Sequence, residues 1–496
     1  MYKLLFLSIA ALLGCNAFTQ SYSNNWVFGD SAGLNFSTAI PMSFASNILS
    51  YEACASISDF SGNLLFYTNG EKIWDKNNNV MPNGDSLNIG GFNPGYPSST
   101  TQGVTILPMP GAENIFYIFQ LQSKSDPPNY GLEYSKVDMT MNDGFGDVVE
   151  KNIDVFTGYL NEKMQAVKHA NGRDWWLTTM QLSTNDTTLC LATFLITADT
   201  IEGPFIQCFT ELPDVGSTNV GATGQMKFSY QGNKLLFTRG IMFLVFDFDR
   251  CSGEFSNLME IMHNDKGLYG CEFSKDARIV YFTEYANIEG GNRIIQYCIS
   301  CGVPVEETKQ IIYEGMELDH AIGQLQLGLD GKIYAPTYKY NYADHEQTYF
   351  NTRLSVINNP NTTGLSCNFD TLSIILNYGR CTYTLPNMPN YNLGPLAGSE
   401  CDTLQIAVNN ILPKAAFLIY PNPASDNIYF KFSDNNLSPI NINNITINDA
   451  TGRIVKIISK LEDNSIYVGD LQAGLYIVHI STTNNKSFLS KLIIEK

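Results

Sequence analysis

Histidine is scarce in this chain, with 5 among 496 residues, and tryptophan is scarcer still, with 4. So few imidazoles leave little material for general acid–base chemistry or for histidine-rich metal sites. Cations are also few: 30 Lys and Arg face 48 Asp and Glu, a formal net charge of −18. Phosphate backbones and anionic membranes are held by clustered cations, so this balance excludes nucleic acid and an anionic lipid surface as expected partners. No segment approaches the roughly twenty consecutive apolar residues of a membrane-spanning helix. The chain also lacks a Gly-x-Ser-x-Gly elbow, a His-Glu-x-x-His pair, a phosphate loop and an EF-hand loop. The nearest approach to a calcium loop, Asn142-Asp143-Gly144-Phe145-Gly146-Asp147, lacks alternating oxygen ligands and reads as a plain turn. No catalytic, cofactor-binding or metal-binding residue is therefore expected, and no cofactor.

What is present begins at the N-terminus. Lys3 precedes an apolar run from Leu4 to Leu13 and then small and polar residues, the pattern of a secretory signal peptide over residues 1–19 with cleavage after Thr19. Leu12-Leu13-Gly14-Cys15 offers a competing reading, a lipobox with Cys15 lipidated. The other ten cysteines, Cys54, Cys190, Cys208, Cys251, Cys271, Cys298, Cys301, Cys367, Cys381 and Cys401, are expected to form disulfides in an oxidising compartment. Pairing inside Cys298-Ile299-Ser300-Cys301, or of Cys190 with Cys208 and Cys367 with Cys381, would close short loops; spacing leaves the connectivity open.

Between Ala53 and about Asn341 a pattern recurs at a period of roughly fifty residues: apolar residues, a polar turn with glycine, then an aromatic-rich strand. Its instances turn at Gly62, Gly111, Gly172, Gly232, Asp276 and Gly331 and continue into Leu64–Tyr67, Ile115–Phe119, Trp175–Leu177, Leu235–Phe237, Ile279–Phe282 and Ile333–Tyr334. A further strand or two follows each. Four strands per unit at this period predicts an all-β fold, with the units as blades of a β-propeller stacked in a ring over residues 20–398. A seventh blade is assembled from the two ends: Tyr383–Tyr391 supplies an inner strand, with Asn25–Phe28 and Gly33–Phe36 beside it. The turns resemble the WD40-like repeats of periplasmic propellers, Phe273–Phe282 most closely. Asn25–Phe36 looks like the start of surface propellers of gliding and PKD-domain proteins of Bacteroidota.

After a linker at 399–416, residues 417–496 read as a small immunoglobulin-like β-sandwich, with short alternating strands between turn signals. Four motifs stand there in order: Tyr420-Pro421-Asn422-Pro423, the run through Asp449-Ala450-Thr451-Gly452, Ala473-Gly474-Leu475-Tyr476, and Lys491-Leu492-Ile493-Ile494-Glu495-Lys496. Together they resemble the type A C-terminal sorting domain of the type IX secretion system of Bacteroidota. That resemblance implies sorting roles for Pro421, Asn422, Pro423, Gly452, Gly474, Tyr476, Lys491 and Lys496. It also implies the type IX machinery as partner, and a route through the periplasm to the outer-membrane surface or the medium. Asp followed by Ser or Thr recurs at Ser31, Ser86, Thr187, Thr200, Thr371 and Thr403, similar to the O-glycosylation motif of exported proteins in these bacteria.

Two functions from different classes follow. The first is a secreted or surface-displayed propeller that binds a surface glycan or protein. The alternative is a secreted enzyme degrading polysaccharide or peptide, with carboxylates such as Glu272 or Glu317 at a channel mouth. His169, His320, Glu272 and Arg239 fall near inner strands, where they either line a central channel or, the favoured reading for the histidines, serve as satisfied structural side chains. Tyr338, Tyr340, Tyr342, Trp175 and Trp176 are expected either to pack between blades or to form aromatic platforms.

Overall fold

Positive backbone angles mark the repeat: Gly62 (φ 84°), Gly111 (77°), Gly172 (73°), Gly232 (74°) and Gly331 (79°) all lie in the left-handed region that glycine adopts without a Cβ clash. Ala277 (φ 56°) occupies the equivalent turn after Phe273. Most of these turns close with one backbone hydrogen bond of the same kind, as from Gly62 to Asp59, Gly172 to His169, Gly232 to Ser229, Ala277 to Ser274 and Gly331 to Gly328. The computed structural model describes residues 22–89, 98–122, 131–181, 187–213, 223–263, 267–284, 293–315, 320–339, 348–402, 417–432, 442–449, 454–458, 464–482 and 487–496. The expected signal peptide with Cys15, most of the linker, Thr403, Gly452, Glu317, His345, Tyr340 and Tyr342 lie outside the described residues. The chain divides into two compact units, Met1–Asp402 and Thr403–Lys496.

Among the described residues of the first unit, the strands form antiparallel sheets that follow one another in chain order. The first holds Asn25–Phe28, Asp30–Asn35 and Met42–Leu49, and the second Ala55–Ser58, Leu64–Thr68 and Ile73–Asp75. The third runs Val104–Pro108, Ile115–Gln122, Gly131–Asp138 and Asp147–Thr157, and the fourth Leu160–Lys168, Trp175–Gln181, Leu189–Ile196 and Ile201–Phe209. The fifth is Met226–Phe228, Lys234–Arg239, Met242–Phe248 and Phe255–Met262, and the sixth Leu268–Phe273, Ile279–Glu284, Arg293–Cys298 and Gln310–Glu314. In the seventh, His320–Ile322 and Gln326–Leu327 both pair with Ile333–Lys339, followed by Arg353–Ile357 and Phe369–Ile375.

Aromatic pairs join neighbouring sheets, one use of a chain with 27 Tyr and 29 Phe. Phe66 meets Phe116 at 5.5 Å, Phe156 meets Phe194 at 6.1 Å, and Phe209 meets Phe246 at 4.7 Å. Phe243 then meets Phe282 at 4.4 Å and Tyr313 meets Phe369 at 5.1 Å, and Trp26 against Tyr334 at 5.5 Å joins the seventh sheet back to the first. The first and second sheets are linked by Ser56, whose hydroxyl donates to the Asn25 carbonyl and accepts from the Val27 N–H. Each such aromatic pair adds about 0.5–1.5 kcal/mol beyond its area burial. The result is a β-propeller, in which a sheet buried on both faces accounts for inner strands such as Ala55–Ser58 and Leu268–Phe273 being buried at every residue.

The segment after Cys381 departs from the expected inner strand. Arg380 bridges Asp30 in antiparallel fashion, and there the ladder stops. Pro386 and Pro389 lack the amide donors a strand needs, so the chain leaves the sheet edge and enters the ring.

Disulfides join Cys190 to Cys208, Cys298 to Cys301 and Cys251 to Cys401. Cys190 and Cys208 are direct cross-strand partners, which brings their Cα atoms to 4.1 Å. Cys367 and Cys381 do not pair; they are buried free thiols, as are Cys54 and Cys271.

The second unit packs a three-stranded sheet (Phe417–Tyr420, Asn427–Phe432, Ser465–Tyr467) and a four-stranded one (Ile454–Ile458, Ile442–Asp449, Gly474–Thr482, Ser487–Ile494) around one aliphatic core. Ile428, Ile445, Ile447, Val468, Val478, Ile480 and Leu492 are fully buried there. No helix among the described residues is long and apolar enough to cross a membrane.

Candidate functional site

The axis of the ring is filled by the chain's own residues 382–391. At one end Thr382 Oγ1 donates to the Ser50 carbonyl at 2.7 Å, and the Tyr383 carbonyl accepts from Gln324 N–H at 2.9 Å. At the centre Asn387 Nδ2 donates to the Val104 and Met164 carbonyls at 3.2 and 3.1 Å. Its Oδ1 accepts from Gln102 and Gln165 at 3.2 and 3.1 Å, and its own N–H donates to the Cys54 carbonyl at 2.8 Å. The Asn387 side chain thus ties two inner strands to the plug, and its backbone N–H reaches the residue just ahead of a third. Further on, Tyr391 donates its hydroxyl to the Ile106 carbonyl at 2.8 Å, and Arg250 reaches the Gly394 carbonyl at 2.6 Å. Cys401 then fixes the exit to Cys251.

Buried glutamines complete the filling. Gln102 exchanges two hydrogen bonds with the Met226 backbone, Gln225 does the same with Leu325, and Gln324 Nε2 donates to the Thr101 carbonyl at 2.7 Å. Each bond contributes about 1 kcal/mol net, but leaving one buried partner unmet costs about 1–3 kcal/mol.

Beside the plug lies a cavity of about 90 Å³, walled by Trp26, Lys227, Glu272, Gln326, Asn390 and Asn392 among others. Lys227 and Glu272 are almost wholly buried and 3.4 Å apart. Lys227 Nζ also donates to Gln326 Oε1. Glu272 accepts backbone N–H bonds from Phe273 at 2.9 Å and Leu327 at 3.0 Å. Burial raises its pKa, and the Lys227 charge works against that rise. The repeat register explains the cluster: Lys227, Glu272 and Gln326 each stand two residues before the carbonyl that closes its turn, Ser229, Ser274 or Gly328.

At the other end of the inner strands, Tyr269 donates its hydroxyl to Glu52 Oε1 at 2.8 Å. Burial, then the neighbouring Glu162, push Glu52 up to about 8. Glu162 is also raised by burial, against a hydrogen bond from Thr101 Oγ1 at 3.3 Å. Nearby Lys163 is pushed down to about 7 by burial, its ammonium donating to the Thr238 carbonyl.

The residues expected from sequence fall differently. Glu272 lines the cavity wall, locked in an ion pair. His169 Nε2 faces the Cys251 carbonyl at 3.1 Å and its ring rests on Trp176 at the plug's exit. Arg239 donates to the Pro213 carbonyl at 3.1 Å, away from the plug's partners. His320 opens the strand His320–Ile322. Trp175, Trp176 and Tyr338 are buried, with the indoles donating to the Pro108 and Arg250 carbonyls, so they pack and form no exposed platform. Asn142–Gly144 is a single 3-10 turn. Sequence reading missed Asn387, Lys227, Gln326, Asn392, Glu52 and Glu162; aligning the repeats on their turns would have shown the Lys227, Glu272 and Gln326 register. Of the candidate glycosylation hydroxyls, Ser86, Thr200 and Thr371 are exposed, whereas Ser31 and Thr187 are half-buried.

In the second unit the sorting motifs converge on the last strand. Asn422 Nδ2 donates to the Lys491 carbonyl and its Oδ1 accepts from Ile493 N–H, both at 2.8 Å. Ala424 and the terminal strand exchange two backbone bonds at 2.9 Å. Gly474 and Tyr476 stand opposite Ile494 and Leu492, and Tyr476 donates its hydroxyl to the Gln472 carbonyl at 2.9 Å. Pro421, Asn422, Pro423, Lys491 and Lys496 are exposed.

Residues 418–495 match the family model described as the secretion system C-terminal sorting domain. A tail of this kind implies export and an encounter with the type IX machinery. No curated protein matches the chain. Among solved structures, the periplasmic gluconolactonase of Pseudomonas aeruginosa is 12% identical, covering 87% of this chain and 98% of its own, with a TM-score of 0.35. A Bacteroides fragilis protein assigned as a 6-phosphogluconolactonase is 9% identical over 71% of this chain and 96% of its own, with a TM-score of 0.40. The architecture stands on the strand pairing and sheet contacts described above.

Proposed function

We propose that this is an exported binding protein: a signal peptide at 1–19, a seven-bladed propeller over 20–398 that holds a surface glycan or protein, a linker at 399–416, and a sorting domain at 417–496 that delivers it through the periplasm to the cell surface or the medium. The observation that carries the binding reading is the plug. Residues 382–391 occupy the axis and engage its buried amides, and the one charged pair in the adjacent cavity is mutually neutralised, which suits recognition better than proton transfer. Sorting roles for Pro421, Asn422, Pro423, Gly452, Gly474, Tyr476, Lys491 and Lys496 belong to this reading.

Two experiments test it. Deleting everything after Lys414 is expected to strand the propeller in the periplasm, and normal surface display of that truncation would defeat the localisation. Saturable binding to envelope glycans or proteins without product formation is expected of the mature chain. Turnover in a polysaccharide and peptide screen would instead support a second reading, an enzyme whose acid–base pair is Glu52 and Glu162. Their shared raised pKa is the observation in favour of that reading.

A further inference from the structure

The cavity beside the plug has an unusual polar inventory. An ammonium carries three protons, and Lys227 directs its own toward Gln326 Oε1 and Glu272 Oε2. A carboxylate offers about four acceptor sites, and Glu272 receives Phe273 N–H, Leu327 N–H and Lys227. Asn392, the residue that follows the plug, also lines the cavity. Trp26 closes the wall, and Tyr230, 38% exposed, stands at the rim.

Size and charge narrow the ligand. At about 90 Å³ the space admits roughly half a dozen waters, on the order of one six-membered ring with its substituents. Lys227 and Glu272 cancel each other, so an anion meets the carboxylate, a cation meets the ammonium, and a zwitterion must separate a pair of charges that already hold one another. A hydroxyl suits both groups: it donates to Glu272 and accepts from Lys227. A ring also fits against Tyr230 at the rim.

We propose that this cavity, lined by Lys227, Glu272, Gln326, Asn392 and Tyr230, binds one neutral sugar residue. The proposal rests on the binding reading and names its ligand class. It includes a free monosaccharide and the terminal residue of a longer glycan, which share this chemistry.

The test is ligand-observed NMR titration of the full mature chain with glucose, galactose, mannose and N-acetylglucosamine, each as free sugar and as methyl glycoside, and with serine as the zwitterion. At least one sugar is expected to saturate with a Kd in the millimolar range, ordinary for a ligand of this size. Binding of the glycoside assigns the terminal residue of a glycan; binding of the free sugar alone assigns the monosaccharide. N392A and Y230A, which remove no hydrogen bond between the plug and the ring, are expected to raise that Kd at least about fivefold with an unchanged melting temperature. The proposal is overturned if none of the sugars saturates by about 50 mM, if serine binds instead, or if both variants bind as the wild type does. Capture of envelope material by the wild-type chain while none of the sugars saturates would remove the cavity proposal and leave the binding reading standing. Absence of both in the wild-type chain would remove both.

Discussion

The two units solve the same problem, holding β-sheets together, with different materials. The second unit relies on an aliphatic core of Ile and Val, with the motif residues Pro421, Asn422, Pro423, Lys491 and Lys496 exposed and Tyr476 buried in that core. In the first unit aromatic pairs join the sheets, but the centre of the ring is polar: Gln102, Gln165, Gln225, Gln324 and Asn387 are each buried and hydrogen-bonded across the axis. Apolar packing tolerates small losses gradually, whereas a buried amide network fails where one member is removed and its partners are stranded. The difference predicts where each unit is brittle.

The largest effect is expected at Asn387. Asn387→Leu keeps the volume but strands the Val104 and Met164 carbonyls and the Gln165 amide, while Gln102 loses one of its bonds and keeps that to the Met226 carbonyl. At about 1–3 kcal/mol for each stranded group, a loss of about 4 kcal/mol in the first unit is a conservative expectation. Calorimetry of the full chain should show the first unit's transition moving down while the second unit's stays. Equal movement of both would break the contrast between them.

Next in size is the disulfide at the plug's exit. Cys251 and Cys401 are separated by 150 residues, and closing a loop of that order restricts the unfolded chain by about 5 kcal/mol on the chain-entropy account, of which such bonds typically deliver about 2–4 kcal/mol. Cys401→Ser is expected to lower the first unit's unfolding midpoint in denaturant by a corresponding amount. The buried thiols Cys54, Cys271, Cys367 and Cys381 should stay unreactive to alkylation until that transition begins. Their early labelling in the native variant would show the plug to be loosely held by its hydrogen bonds.

Much of this arrangement is legible in sequence, and the remainder is not for identifiable reasons. The turns were readable because Gly62, Gly172 and Gly232 must take positive φ, a local requirement. The sorting motifs were readable because each is contiguous. The plug was not. Tyr383, Thr384 and Leu385 suit a strand by composition, and what decides otherwise is Asn387, whose partners Val104 and Met164 lie 283 and 223 residues away. The cavity was unreadable for a similar reason: Lys227, Glu272 and Gln326 come from three sheets and align only when the repeats are registered on their turns. Cysteine connectivity followed the same division, with the cross-strand pair Cys190 and Cys208 suggested by its short loop and Cys251 with Cys401 invisible without the plug.

A smaller effect is expected in the second unit. Asn422→Ala removes two hydrogen bonds to the terminal strand that are exposed to solvent, a loss of about 1 kcal/mol. Asn422→Asp keeps the acceptor toward Ile493 N–H and loses only the donor to the Lys491 carbonyl. Surface display measured in a secretion-competent host is expected to fall further in the alanine variant than its small stability loss explains, with the aspartate variant between. Display that tracks the melting temperature alone would reduce Asn422 to a structural residue and weaken the sorting assignment for Pro421 and Pro423 beside it.

The smallest effect concerns charge at the end of the axis where Glu52 meets Glu162 and Tyr269. Burial first, and Glu162 second, raise Glu52 to about 8 from an unfolded value near 4.5. Between those two pH values the folded state holds a proton that the unfolded state has released, so folding loses stability as pH rises through that window and the loss is complete above it. Below about 4.5 both states are protonated and Glu52 has no influence. Glu52→Gln carries no such proton. The stability of the first unit in this variant should therefore match the wild type near pH 4.5 and exceed it near pH 8. The group keeps some access to solvent, so the gain is set at about 1 kcal/mol, well under the unscreened shift. Melting curves of the full chain across that range are the measurement. Parallel wild-type and Glu52→Gln profiles would mean that the two carboxylates do not share a raised titration, and with that the enzyme reading would lose the one observation in its favour.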